Sequence, residues 1–237
     1  MSTVQDKVCF ITGTGSGIGR AATLKLLAAG AKVFAMSRTQ TRLDSLKQEA
    51  ASDNLVVSCG DVRSEADVQA AFAACLEKFG SIDILLNNAG LGVPTTDLAD
   101  TSLDKFEQMF DTNVKGVFLC TREALKVMRP KKSGHIMTVI SMGGQRTNPV
   151  APLYCASKFG ARGLSSGLAD QVLAEGIRVT DLNPGPVDTD YWGDRPVPRE
   201  KFLKADEVAD VILFVLAQPE HVLIREINFD NIAFFNK

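Results

Sequence analysis

Lys7-Val-Cys-Phe-Ile-Thr12 runs directly into Gly13-Thr-Gly-Ser-Gly-Ile-Gly19, and the helical pattern of residues 20–29 follows at once. An apolar run, a glycine-rich turn and an amphipathic stretch in that order are the parts of a strand–turn–helix unit. In such a unit Gly13 permits a tight turn, Gly17 lets the main chain approach a pyrophosphate, and Gly19 lets the helix pack closely on the sheet. The helix start adds free N–H groups and a positive dipole end, both suited to phosphate. Glycines also serve ordinary loops, so the turn gains its meaning from its place between strand and helix.

Working outward, Gly30 makes a helix stop before the next apolar run at 32–37. Further strand-like runs fall at 55–58, 82–87, 135–141, 177–183 and 222–229, with helical patterns at 40–51, 65–79, 103–128, 152–175 and 205–217. Strands alternating with helices predict an α/β chain: a doubly wound, seven-stranded parallel sheet with helices on both faces. Residues 1–237 read as a single domain, because no linker or charge block divides them. The proline-rich stretch 195–199 is a local excursion. Sheets of this kind bind ligands at the carboxyl ends of their strands, where the chain order reverses.

The remaining totals exclude several classes. A net charge of −2 gives no electrostatic reason to expect nucleic acid or a membrane as partner. The five cysteines are scattered without a CxxC pair and read as reduced thiols, while two histidines, His135 and His221, are too few for an ordinary zinc site. No metal is expected. The run 211–217 is far too short to span a bilayer and the first residues carry no apolar signal core, so a cytoplasmic protein is expected.

The end of the second strand bears on the choice of dinucleotide. An NAD-selective site usually offers a carboxylate there to the ribose hydroxyls. Here the chain reads Ala35-Met-Ser-Arg38, with no acid and an arginine. A guanidinium suits a 2′-phosphate, so Ser37 and Arg38 favour NADP(H), with NAD(H) as the alternative and a plain surface arginine as the bland reading. Asp44, further along, reads as a solvated helix side chain.

The ordered set Thr12-Gly-x-x-x-Gly-x-Gly19, Asp61-Val62, Asn87-Asn-Ala-Gly90, Asn113, Ser141, Tyr154-x-x-x-Lys158 and Asn183-Pro-Gly185 through Thr189 resembles the short-chain dehydrogenase/reductase family over nearly the whole chain. The resemblance implies a Rossmann fold and an oxidoreductase that moves hydride between a nicotinamide and a carbonyl or alcohol carbon. It implies catalytic roles for Asn113, Ser141, Tyr154 and Lys158. It implies cofactor contacts from Gly13, Thr14, Ser16, Gly17, Ile18 and Gly19 of the turn, and from Asp61 and Val62 at the adenine. Asn88, Ala89 and Gly90 would line the ribose side, and Pro184, Gly185, Val187 and Thr189 the nicotinamide carboxamide and phosphates. Asn87 reads as a brace for the central strand. Thr14 and Ser16 depart from the family's usual residues, which leaves the NADP(H) preference resting mainly on Arg38.

Chemistry agrees with that assignment. Tyr154 and Lys158 are four apart near a helix start and share a face. A phenol is a poor acid–base catalyst at neutral pH, and a nearby ammonium favours its ionised form. Ser141 precedes Tyr154 by thirteen positions (154 − 141) and suits a role in holding the substrate oxygen. By resemblance Asn113 holds a water that links Lys158 to solvent.

Residues 190–204 follow the nicotinamide loop and are expected to cover the substrate, with Tyr191 and Trp192 as an aromatic wall and 91–96 and 142–150 as further borders. A small or medium carbonyl or alcohol is the expected partner. The helices at 103–128 and 152–175 resemble those of family dimer interfaces, implying a homotetramer or homodimer. The C-terminal end lacks the glycine-rich ending of many relatives and resembles members acting on diverse carbonyls or small hydroxy acids. Two other readings stand beside a carbonyl reductase: an NADP-dependent dehydrogenase of hydroxy acids or hydroxy amino acids, and a catalytically silent dinucleotide sensor.

Overall fold

The computed structural model describes residues 4–93 and 97–235. The first apolar run forms β1 (Val8–Thr12), buried along its whole length, as befits a parallel strand covered on both faces. In chain order there follow α1 (Gly17–Ala28), β2 (Lys32–Ser37), α2 (Gln40–Ala50), β3 (Leu55–Cys59), α3 (Glu65–Phe79) and β4 (Ile84–Asn87). The second half holds α4 (Leu103–Phe110), α5 (Gly116–Lys131), β5 (Gly134–Val139), α6 (Pro152–Val172), β6 (Ile177–Pro184), β7 (Val187–Asp188), β8 (Leu203–Lys204), α7 (Ala205–Leu216) and β9 (Glu226–Phe229). Seven strands make one sheet in the order β3-β2-β1-β4-β5-β6-β9, every pair parallel. The chain winds outward from β1 to β3, then returns to β4 and winds the other way. A crevice therefore opens between the carboxyl ends of β1 and β4.

Alternate residues of each strand face opposite layers. Ile11 and Leu182 pack under α1 and α7 with Leu26, Val208 and Ile212. Phe10 faces the other way, under α3, α5 and α6, where it stacks on Phe34 at 5.2 Å and Phe72 at 4.1 Å. His135 is buried in β5 with Nε2 bonded to Thr180 Oγ1 at 2.8 Å, and burial pulls its pKa down to about 3. That histidine is a neutral core residue. All five cysteines are free, and among the described residues no helix is long and apolar enough to cross a membrane.

Four local features depart from the sequence pattern. The helix expected over 103–128 is interrupted by one π turn, Asp111–Lys115, between α4 and α5. The last strand begins only at Glu226, because Arg178 and Thr180 side chains bind the carbonyls of Val222 and Ile224 ahead of it. The fifth strand stops at Val139, and Ser141 stands beyond it with φ +132°. Finally, β7 and β8 pair in a small sheet of their own, held by Asp188 bridging Arg199 at 3.0 Å and Lys204 at 2.9 Å.

The switch point is stitched by side chains. Thr12 Oγ1 accepts the backbone N–H groups of Asn88 at 3.1 Å and Ala89 at 3.0 Å. Asn88 Nδ2 donates back to the carbonyls of Thr12 at 2.9 Å and Gly13 at 3.1 Å. Thr12→Val keeps the branched shape but strands two N–H donors in a part-buried place. A loss of about 2–4 kcal/mol is expected from urea unfolding, whereas Thr12→Ser should lose less than about half of that.

Candidate active site

A cleft of about 1260 Å³ follows the carboxyl edge of the sheet, from Arg38 and Asp61 at one end to Ser141 and Tyr154 at the other. At the turn, Gly13 has φ +71°, and a Cβ there would sit 2.8 Å from Ala89 Cα. A Cβ on Gly19 would lie 2.4 Å from both Asn88 Nδ2 and the Gly13 carbonyl oxygen. Ser16 precedes α1 with no capping bond from its side chain, so its hydroxyl and the helix N–H groups face the cleft together. Of the residues nominated from sequence, Gly13, Ser16, Gly17, Ile18, Ser37, Arg38, Asp61, Val62, Asn88, Ala89 and Gly90 line it, as do Pro184, Gly185, Val187 and Thr189. Thr14 and Gly19 do not. Thr14 is fully buried with its hydroxyl donating to the Met36 carbonyl at 3.3 Å, and Gly19 packs behind the turn.

At the adenosine end, the Asp61 carboxylate is already engaged. Arg63 binds it through Nε at 2.9 Å and Nη2 at 2.7 Å. Burial works against ionisation of Asp61, but the Arg63 hydrogen bonds outweigh it and hold the carboxyl below its ordinary range. Arg38 is exposed, lines the cleft and makes no ion pair among the described residues. Arg42, one turn into α2, lines the same end and reaches Asp190 at 3.0 Å across the cleft. Sequence reasoning missed that arginine, because only the fold brings α2 over the turn. Asp44 is exposed and bonded by Gln40 at 2.7 Å.

At the other end three chain segments converge. Pro152 opens α6, whose first turns present Tyr154 and Lys158 on one face. Lys158 is buried, and its Nζ donates to the Val139 carbonyl at 2.9 Å and lies 6.0 Å from the Tyr154 ring centroid. Burial alone brings Lys158 down to about 8. Ser141 Oγ accepts the Gly143 N–H at 3.0 Å, and a Cβ on Gly143 would touch Tyr154 Cε1 at 2.9 Å. Gly143 therefore lets Ser141 and Tyr154 come together. The positive φ of Ser141 is a strained conformation that persists only because its neighbours impose it.

Burial raises the Tyr154 phenol above its ordinary value, and hydrogen bonding by the Ser141 and Tyr191 hydroxyls works against that rise. Lys158 Nζ lies toward the ring and the Val139 carbonyl, and desolvation dominates.

Asn113 sits in the π turn, off the cleft wall. Its Oδ1 accepts the Leu91 N–H at 2.8 Å, and its Nδ2 donates to the Leu91 carbonyl at 2.8 Å and to Ser157 Oγ at 2.9 Å. A Cβ on Gly90 would stand 3.4 Å from Lys158 Nζ and 3.7 Å from Asn113 Oδ1, which places all three side by side. Asn87 braces the sheet as expected, donating to Thr121 Oγ1 at 3.1 Å. Of the expected borders at 91–96, residues 94–96 lie outside the described residues.

The extended cleft, the close main-chain approach at the glycine turn and the unpaired Arg38 guanidinium fit a nicotinamide dinucleotide. A parallel sheet with such a crevice is a doubly wound fold of the kind that binds dinucleotides at its switch point. Residues 7–198 match the short chain dehydrogenase model, and the chain belongs to that family of NAD(P)-dependent enzymes. It is 32% identical over 228 residues to an uncharacterised oxidoreductase of Staphylococcus aureus strain MRSA252, covering 96% of this chain and 98% of that one. A 3-ketoacyl-(acyl-carrier-protein) reductase from Brucella melitensis, complexed with NADH, superimposes with a TM-score of 0.92 at 28% identity, covering 98% of this chain and 99% of that one. An alcohol dehydrogenase from the archaeon Thermococcus sibiricus, complexed with 5-hydroxy-NADP, gives 0.89 at 28% identity over 97% and 98%.

The tight approach at Gly19 is testable. Gly19→Ala forces its Cβ against Asn88 and the Gly13 carbonyl, and calorimetric titration should show NADPH binding weakened by about tenfold or more.

Proposed function

We propose that the chain is an NADP(H)-preferring carbonyl reductase or alcohol dehydrogenase of small or medium substrates. The observation that carries this reading is the convergence of Ser141, Tyr154 and Lys158 at one end of a cleft whose other end offers a free Arg38. When bound, the dinucleotide supplies or accepts the hydride and, once oxidised, brings a positive ring to the site. Ser141 holds the substrate oxygen against Tyr154, which gives its proton to the developing alkoxide in reduction and takes the alcohol proton in oxidation. Lys158, brought down to about 8, exchanges protons near neutral pH behind that phenol.

Asn113 keeps the Gly90–Leu91 wall against Lys158. Its three side-chain bonds leave one lone pair of Oδ1 for the water that the family resemblance assigns to it. Ser37 and Arg38 take the 2′-phosphate. The segment 190–204 covers the substrate, since Tyr191, Trp192, Arg195 and Val197 all line the cleft. Leu103, Phe106, Phe118 and Phe159 are exposed along α4, α5 and α6 and support a homodimer or homotetramer.

A second reading, oxidation of a hydroxy acid or hydroxy amino acid, is favoured by two guanidiniums, Arg146 and Arg195, at the substrate end. Comparing oxo acids with their methyl esters, by NADPH absorbance, separates the two readings.

Two substitutions test the assignment. Tyr154→Phe should cut kcat by about a thousandfold while NADPH affinity changes by less than about twofold. Near-normal turnover in that variant would remove the proton-transfer role. Arg38→Asp should shift the NADPH to NADH ratio of kcat/KM by about 10–100-fold toward NADH, the scale of one charge-assisted contact.

A further inference from the structure

One polar side chain from outside the three catalytic motifs reaches Tyr154, and it belongs to Tyr191. The two rings lie 5.8 Å apart at 57°, and the Tyr191 hydroxyl works against the rise of the Tyr154 phenol. On its far side the Tyr191 hydroxyl covers Gly92, where a Cβ would sit 1.9 Å from that oxygen. The absent side chain at residue 92 is what allows the phenol to reach so far into the cleft.

Tyr191 is held from behind. Its N–H donates to Thr189 Oγ1 at 3.4 Å, and Trp192 packs edge-on at 5.3 Å. The Arg195 guanidinium lies 4.9 Å from the Tyr191 ring centroid and 5.0 Å from that of Trp192. Arg195 also donates to the carbonyls of Trp192 and Tyr191. Trp192 is fixed in turn, with Nε1 donating to the Val187 carbonyl at 2.8 Å and its ring 5.0 Å from Phe202. A phenol braced on so many sides keeps its hydroxyl in one place.

We propose that Tyr191 is a positioning residue for the reaction: its hydroxyl donates a hydrogen bond to the Tyr154 oxygen, steadies the phenolate form, and is held to that task by Arg195 and Gly92. The inference rests on the reading of Tyr154 as the proton-transfer group. Tyr191 keeps its own proton throughout, since burial and the neighbouring Tyr154 raise its pKa far above the ordinary phenol value. The alcohol proton passes to Tyr154 alone. The titratable and charged groups facing the Tyr154 hydroxyl and ring are Cys155 and Lys158 of α6, and Tyr191 with Arg195 behind it.

Tyr154 and Tyr191 are the chain's two tyrosines, so near-ultraviolet titration of tyrosinate in the full chain reads the pair directly and needs no substrate. Tyr191→Phe leaves Tyr154 as the sole signal, and its midpoint should lie about one pH unit above the first midpoint of the unsubstituted chain. Gly92→Ala keeps both phenols but displaces Tyr191, and should raise the first midpoint by a similar amount. Arg195→Met should give a smaller shift in the same direction. A first midpoint unchanged or lowered in both Tyr191→Phe and Gly92→Ala overturns the inference. Failure of the underlying reading is separate, because it shows as turnover surviving in Tyr154→Phe.

Discussion

A hydroxyl at the end of the first strand holds this molecule's chemistry in place. Thr12 accepts two N–H groups from the start of the loop after β4, while Asn88 returns two donations to the end of β1. Two strands that run parallel and then diverge would otherwise leave four main-chain groups without partners at the point where a ligand must enter. Each hydrogen bond contributes only about 1 kcal/mol net, but losing one partner leaves a buried group unsatisfied and costs more. The clasp fixes the separation of the β1 and β4 ends, and with it the positions of Gly13, Ala89 and Gly90. Lys158 and Asn113 are then located against Gly90. A side-chain bond near one end of the cleft thereby governs the geometry of the other.

Much of this was legible in the chain because it is local. The strand–turn–helix unit lies within residues 7–29, and Tyr154 and Lys158 share a face by helical geometry alone. Strand positions followed from short apolar runs bounded by polar segments, and five of the seven main strands keep their expected first residue within one position. The unread parts depend on contacts between distant segments. Thr14 turns inward because Met36, on the neighbouring strand, offers a carbonyl. The π turn places Asn113 against Leu91 and Ser157, partners 22 and 44 residues away. No periodicity announces such an interruption, since the apolar pattern on either side continues as helix. Arg42 meets Asp190 only after α2 has folded over the glycine turn. Tyr191 was visible as an aromatic wall, but its contact with Tyr154 needed the small β7–β8 sheet, whose strands are two residues each and carry almost no signal.

Desolvation works on the two ionisable groups of α6 in opposite directions. It lowers Lys158 to about 8 and raises the phenol of Tyr154. A buried ammonium and a buried phenolate are both costly, so burial by itself favours the neutral pair. The phenol therefore holds its proton at neutral pH, which is the form that reduction of a carbonyl consumes. Oxidation needs the opposite form, and on the proposed reading the groups that favour it are the Ser141 and Tyr191 hydroxyls. The nearest lining carboxylate, Asp190 beside Tyr191, is paired with Arg42 at 3.0 Å. Preorganised donors are effective here because each is already fixed, Ser141 by Gly143 and Tyr191 by Arg195. On the proposed reading, the same burial that keeps the Tyr154 proton in place makes its hydroxyl neighbours decisive for the direction that must remove it.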